Sequence, residues 1–177
     1  LRTILSALTP TALRDAAYAL VLSRLDYCNA LCVNAQDTEL HRLQMVINTA
    51  ARVVSGRSRF DHITDYVRDE LHWLPITQRV QFKVCTLVYK AIHGLAPKYL
   101  SDMMVPATVA SVRRDLRSSS HTQLIPARHH RKYAKRAFAV AGPTAWNSLP
   151  ADIRDSDSIT TFRRLLKTHM FNMAYSD

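Results

Sequence analysis

Glycine is scarce in this chain: Gly56, Gly94 and Gly142 serve all 177 residues. Phosphate-cradling loops need several glycines close together, so that class of nucleotide site is excluded. An all-β fold, whose hairpins ask for glycine repeatedly, is disfavoured for the same reason. Three cysteines, Cys28, Cys32 and Cys85, cannot close a disulfide framework and suit a reducing compartment. No apolar run approaches the roughly 18 residues of a membrane span, since Ala16 to Leu22 is broken soon after by Arg24. No secretory signal is visible, and no membrane partner is expected. The chain begins on Leu1 rather than methionine and reads as a piece of something longer, with an intracellular home, nuclear or cytoplasmic.

Acids are also scarce where catalysis would need them. Phosphoryl transfer on nucleic acid uses two or three carboxylates converging on Mg²⁺. The adjacent pair here is Asp69-Glu70, and neighbours on a helix do not face the same way. Asp152, Asp155 and Asp157 precede a final helix, where acids favour the helix dipole in any case. Cys28 and Cys32 lie four apart, but no second Cys/His pair follows at zinc-finger spacing, so they read as small core residues, as does Cys85. His129 and His130 are adjacent, a poor geometry for shared ligation. The expectation is no enzyme activity, no metal or other cofactor, and no small-molecule substrate.

What is present is a core and helices to build it. The apolar fraction, 47%, is ordinary for a globular protein. Thr9-Pro10 offers a cap followed by proline at the first helical position, with Leu13, Ala17, Leu20, Leu25 and Cys28 on one face. Asp37 is a suitable cap for a helix carrying Leu40, Leu43, Ile47, Ala50 and Val54, ended by Gly56. A short helix over 62–70 follows. Pro75 then resets the chain for a long stripe, Ile76, Val80, Val84, Leu87 and Ala91, that stops at Gly94. Another short turn covers 97–104. From Val105 to Pro126 the pattern dissolves into an extended loop with room for a short strand over 123–125. Residues 137–140 read equally as strand or helix start, and Pro143 should open a brief helix through Trp146. Ser158 caps a last amphipathic helix with Ile159, Phe162, Leu166, His169 and Met173 inward and Arg163, Arg164 and Lys167 outward. Trp73 and Trp146, each just before a Leu-Pro step, should plug corners between helices.

The fold class expected is mainly α: a helical bundle over 1–104, a basic, partly extended connecting segment over 105–136, and a C-terminal helical extension over 137–177 ending in an amphipathic helix. The connecting segment is the unusual part. Arg113, Arg114, Arg117, Arg128, Arg131, Lys132, Lys135 and Arg136 stand against the single acid Asp115, eight cations to one anion, in a chain whose net charge is +10. Charges packed this densely repel one another unless a polyanion neutralises them. Nucleic-acid phosphates do so with release of condensed counterions. The alternative is a solvated basic face that only aids solubility. Under the first reading those eight side chains contact phosphates, and Tyr133 stacks on a base.

Several stretches carry a resemblance. They include Leu25-Asp26-Tyr27-Cys28-Asn29-Ala30-Leu31, the helix from Arg42 to Gly56, Phe60-Asp61-His62-Ile63-Thr64 and Leu71-His72-Trp73-Leu74-Pro75-Ile76. Further along come Tyr89-Lys90-Ala91-Ile92-His93-Gly94-Leu95-Ala96-Pro97-Lys98-Tyr99-Leu100, Leu116-Arg117-Ser118-Ser119, Arg136-Ala137-Phe138, Trp146-Asn147-Ser148-Leu149-Pro150 and Phe162 to Phe171. In this order they resemble the region downstream of the polymerase domain in LINE-type, non-LTR retrotransposon reverse transcriptases, across nearly the whole chain. The resemblance implies a thumb and carboxy-terminal extension without catalytic residues, since the family's paired-aspartate palm and its endonuclease lie upstream. Mg²⁺ would belong to that absent polymerase domain. The implied partners are template RNA or an RNA–DNA hybrid and the upstream polymerase domain of the same polypeptide. A second possibility is a helical protein–protein docking scaffold, with Trp73 or the last helix's apolar face as the contact. One local departure, Cys32-Val33-Asn34-Ala35 where a Gly/Pro turn is usual, leaves room for a decayed or host-retained copy.

Overall fold

The computed structural model describes residues 8–107, 123–128 and 131–176. Its described part is mainly helical, with one two-stranded sheet. Helix α1 (Pro10–Ala17) runs through a π turn (Tyr18–Leu22) into α2 (Ser23–Asp26), and a 3₁₀ turn (Asn29–Cys32) leads on. Then come α3 (Asp37–Ser55), α4 (Thr64–Asp69), α5 (Ile76–Ile92) and α6 (Lys98–Ser101). Strand β1 (Val105–Pro106) pairs antiparallel with β2 (Leu124–Ile125). After a second 3₁₀ turn (Lys132–Arg136) come α7 (Phe138–Asn147), α8 (Ala151–Arg154) and α9 (Ile159–Tyr175).

The punctuation explains most of these bounds. Thr9 Oγ1 accepts the Ala12 N–H, and Pro10 takes the first helical position. Ser158 Oγ does the same for Thr161. Gly56 ends α3 at φ +68°, the left-handed backbone that glycine adopts without steric cost. The cap of α3 is Gln36 rather than Asp37: Glu39 Oε2 accepts the Gln36 N–H, and Asp37 is already helical.

The first helix departs from a regular 3.6-residue period. A π turn carries one extra residue, which rotates everything after it by about 100°. Leu22, not Leu20, therefore reaches the core, and Leu20 is 60% exposed. Cys28 is likewise exposed, at φ +55°, so the Cys28–Cys32 pair is not a core pair; Cys85 alone of the three is buried. At the other end, Met170 takes the buried place expected for Met173, because Phe162, Leu166 and Met170 step by four.

Proline 143 sits inside α7 rather than at its start. Its missing N–H would leave the Ala139 carbonyl without a helical partner. The Ala127 N–H takes that carbonyl at 3.0 Å, so the break in the ladder becomes an attachment for the chain leaving β2. Asn147 adds a second attachment: its Oδ1 accepts the Leu124 N–H at 3.0 Å and its Nδ2 donates to the Leu124 carbonyl at 2.7 Å. The side-chain amide thus stands in for a neighbouring strand.

Two cores share α5. One gathers Ala17, Leu22, Ile47, Ala51, Val67 and Trp73 around its N-terminal residue Ile76. The other gathers Val88, Tyr89, Leu124, Trp146, Phe162 and Leu166 along its C-terminal half. The rings of Tyr89 and Phe162 stack at 4.5 Å, and Trp146 lies 5.6 Å from Phe162. Helix α7 comes so close that a Cβ on Gly142 would meet Val88 Cγ2 at 3.0 Å. Both tryptophans are buried, as expected of corner plugs.

Polar groups fix the entry to α5. Gln44 Oε1 accepts the otherwise unpaired Ile76 N–H. Arg79 Nη1 reaches both oxygens of Asp26, at 2.9 and 2.8 Å, while its Nε donates to the Leu74 carbonyl at 2.8 Å. The Arg79 side chain is only 10% exposed, so its charge is compensated there by that carboxylate.

Two outcomes follow. Asp26→Ala should cost about 2–4 kcal/mol in chemical denaturation, because it strands a buried guanidinium, and Asp26→Leu/Arg79→Met should recover most of the loss. A thiol-specific chromogenic reagent should modify Cys28 quickly in the native protein and Cys85 only after unfolding, since burial pushes the Cys85 thiol up to about 12.

Candidate nucleic-acid interface

The basic segment is held at its C-terminal end by a clasp to the loop before α3. Asn34 Nδ2 donates to the Lys135 carbonyl at 2.7 Å, and Arg136 Nε donates back to the Asn34 carbonyl at 3.2 Å. Arg136 Nη2 lies 3.6 Å from Glu39 Oε2, the carboxylate that also caps α3. These bonds span about a hundred residues of sequence, so they tie the 3₁₀ turn Lys132–Arg136 to the opposite end of the chain.

Asn34 stands at φ +53°, a conformation asparagine tolerates better than most side chains. It does locally what a Gly/Pro turn would do and supplies a side-chain donor besides. The left-handed asparagine in Cys32-Val33-Asn34-Ala35 therefore has a structural use.

Of the expected phosphate contacts, Arg113, Arg114 and Arg117 lie outside the described residues, as does Asp115. Arg128, Arg131 and Lys135 are exposed, and none has an ion pair or side-chain hydrogen bond among the described residues. Tyr133 is 81% exposed, which leaves its ring faces open to stacking. Lys132 shares the turn with them. Arg136 differs from the rest: its guanidinium is engaged by Asn34 and Glu39, so it anchors the turn. Phe138 packs against the C-terminal core.

The segment is less of a free linker than the sequence suggests. Its first two residues, Val105 and Pro106, form β1, and Leu124–Ile125 returns beside them. The Ala107 N–H donates to the Gln123 carbonyl at 2.9 Å, which holds residues 107 and 123 together beside the strand pair. The loop expectation with a short strand at 123–125 thus holds for the strand, and the partner strand is what periodicity missed.

Among the described residues no three His, Cys, Asp or Glu side chains are grouped to hold a metal ion. Asp69 is tied to Arg68 at 2.7 Å, and that guanidinium holds its carboxyl below the usual range. His129 and His130 lie outside the described residues. No helix among the described residues is long and apolar enough to cross a membrane.

One residue that sequence reasoning missed is Arg154. It is 7% exposed, and its Nε and Nη1 have no hydrogen-bond partner among the described residues. It lines a cavity of about 490 Å³ with His93, Trp146, Asp155 and Asp157. Nothing in the local pattern Asp152-Ile153-Arg154-Asp155 distinguishes it from an exposed ion-pairing arginine.

No known family matches this chain, and neither do the curated proteins nor the solved structures compared with it.

Replacing Asn34 with alanine should loosen the clasp twice over, by removing the amide donor and by straining φ. Amide exchange at Ala134 and Ala137, whose N–H groups close the 3₁₀ turn, should accelerate at least tenfold, while the amides of α5 keep their protection.

Proposed function

We propose that this chain is a non-catalytic, carboxy-terminal nucleic-acid-gripping region of a non-LTR retrotransposon reverse transcriptase. It would bind template RNA or the RNA–DNA hybrid through its basic segment. The observation that supports this most directly is the clasped turn: Arg128, Arg131, Tyr133 and Lys135 face solvent on a segment anchored at both ends, and no acid among the described residues pairs with the three cations. A rigid mount lowers the ordering cost of each phosphate contact. Contacts of this type position a strand without reading its bases, so sequence preference should be weak. The resemblance of the quoted stretches to the family supplies the parentage, and the upstream polymerase domain would supply Mg²⁺ and the chemistry.

A docking scaffold is the second reading, and its contact surface has to move. Trp73 is 5% exposed and Phe162, Leu166 and Met170 are buried, so neither the tryptophan nor the inner face of α9 is free to meet a partner. What favours docking instead is the outer side of α3, where Met45 and Val46 are exposed beside Val21 and Val53.

Titration against single-stranded RNA separates the two. With about five phosphates neutralised, log K should fall with log salt at a slope of roughly −4. Arg131→Glu, Lys132→Glu, Lys135→Glu and Arg136→Glu together should remove the basic segment's contribution to that binding and leave association with the polymerase domain intact. A slope near zero, or docking lost with RNA binding retained, would count against the nucleic-acid reading.

A further inference from the structure

Away from the basic segment, a second set of cations converges on the helical body. A groove of about 600 Å³ lies along α5 and α9, with α2 and the loop before α5 also contributing to its lining. Arg79, Lys83 and Lys90 line it from α5, and Arg163 and Lys167 from α9. The lining contains one acid, Asp26, and both of its oxygens are occupied by Arg79. Four cations therefore remain, and none of them has an ion pair or side-chain hydrogen bond among the described residues.

Their placement follows from helix geometry. Lys83 and Lys90 are seven residues apart, two turns along one face of α5, or about 10 Å. Arg163 and Lys167 are one turn apart on α9, about 6 Å. The two helices pack against each other in the core that holds Val88, Tyr89, Phe162 and Leu166, with Tyr89 stacked on Phe162, so the two rows of charge are held side by side by the core itself. Arg163 lies over the Phe82 ring at 6.0 Å, which steadies one guanidinium at the wall of the groove. Held in fixed rows, like charges cannot relax apart, and the field between them is focused by the low-dielectric walls.

We infer that the α5–α9 groove is a second phosphate-backbone site, in which Lys83, Lys90, Arg163 and Lys167 take a nucleic-acid strand. The nature of the polyanion rests on the nucleic-acid reading above; the site itself does not involve the basic segment. A strand of regularly spaced monovalent charges suits rows of cations set at intervals of several ångström along two rigid rods. An acidic polypeptide would instead need carboxylates matched individually to those positions.

The test compares three versions of the whole 177-residue chain: the unchanged chain, the groove variant Lys83→Gln/Lys90→Gln/Arg163→Gln/Lys167→Gln, and the segment variant described above. Each is titrated with a 40-nucleotide single-stranded RNA across a salt series, with circular dichroism and thermal melts checking the fold. The glutamine series removes charge while keeping long polar stems, so the packing of the partly buried Lys83 is preserved. The groove variant should lose at least tenfold in affinity at moderate salt, and its slope should become shallower by up to about 3. Unchanged affinity and slope in the groove variant, with binding lost in the segment variant, would overturn the groove and leave the nucleic-acid reading standing. A slope near zero for the unchanged chain would overturn both. Loss of binding to poly-glutamate in the groove variant, with RNA binding undiminished, would also overturn it and mark the groove as a protein site.

Discussion

Helix α5 is surrounded on nearly every side, and that burial constrains the rest of the molecule. Ile76, Val80, Val84, Cys85, Val88, Tyr89 and Ala91 are all within its 17 residues and all buried. An amphipathic surface helix shows one apolar stripe; this one feeds two cores at once. Its N-terminal end is pinned by Gln44 and by the Arg79–Asp26 pair, which joins it to α2 and sets the first core. Its C-terminal half takes α7 and α9, with Gly142 permitting the close approach. The C-terminal helices complete the second core with α5.

That arrangement decides where charge can go. With the apolar faces turned toward α5, the cations of α9 and the outer row of α5 are pushed to the surface. The basic turn over 132–136 is likewise carried outward by the helix that follows it and held there by Asn34. A clasp built from one amide and one half-exposed ion pair is a modest interaction, since exposed pairs contribute little. Its value is positional: it holds the turn over 132–136 against the loop before α3. Nucleic-acid binding would thus rest on a stiff platform.

Much of this was legible in the residues. Caps at Thr9, Gly56 and Ser158, the long stripe from Ile76 and the tryptophan corners all follow from local rules that tertiary packing did not override. The departures have separate physical causes. A 3.6-residue period puts Leu20 and Cys28 inward, but the π turn breaks it, and no residue in Tyr18–Leu22 announces the extra one. Pro143 reads as a helix start, yet a helix tolerates it where a distant N–H, here from Ala127, takes the freed carbonyl. The basic segment was visible as composition. Its clasp was not, because it joins residues about a hundred positions apart through Asn34, and single-sequence patterns carry no such contact. The α5–α9 cations were equally visible one by one, but only folding sets the two rows side by side.

The most direct measurement is ultraviolet cross-linking of the intact chain to a photoreactive single-stranded RNA, followed by mass spectrometry of the linked peptides. The account predicts adducts concentrated on the peptide containing Tyr133, suppressed by high salt and reduced when Asn34 can no longer hold the turn. Adducts confined to the Met45–Val46 face of α3, or scattered without regard to salt, would contradict it.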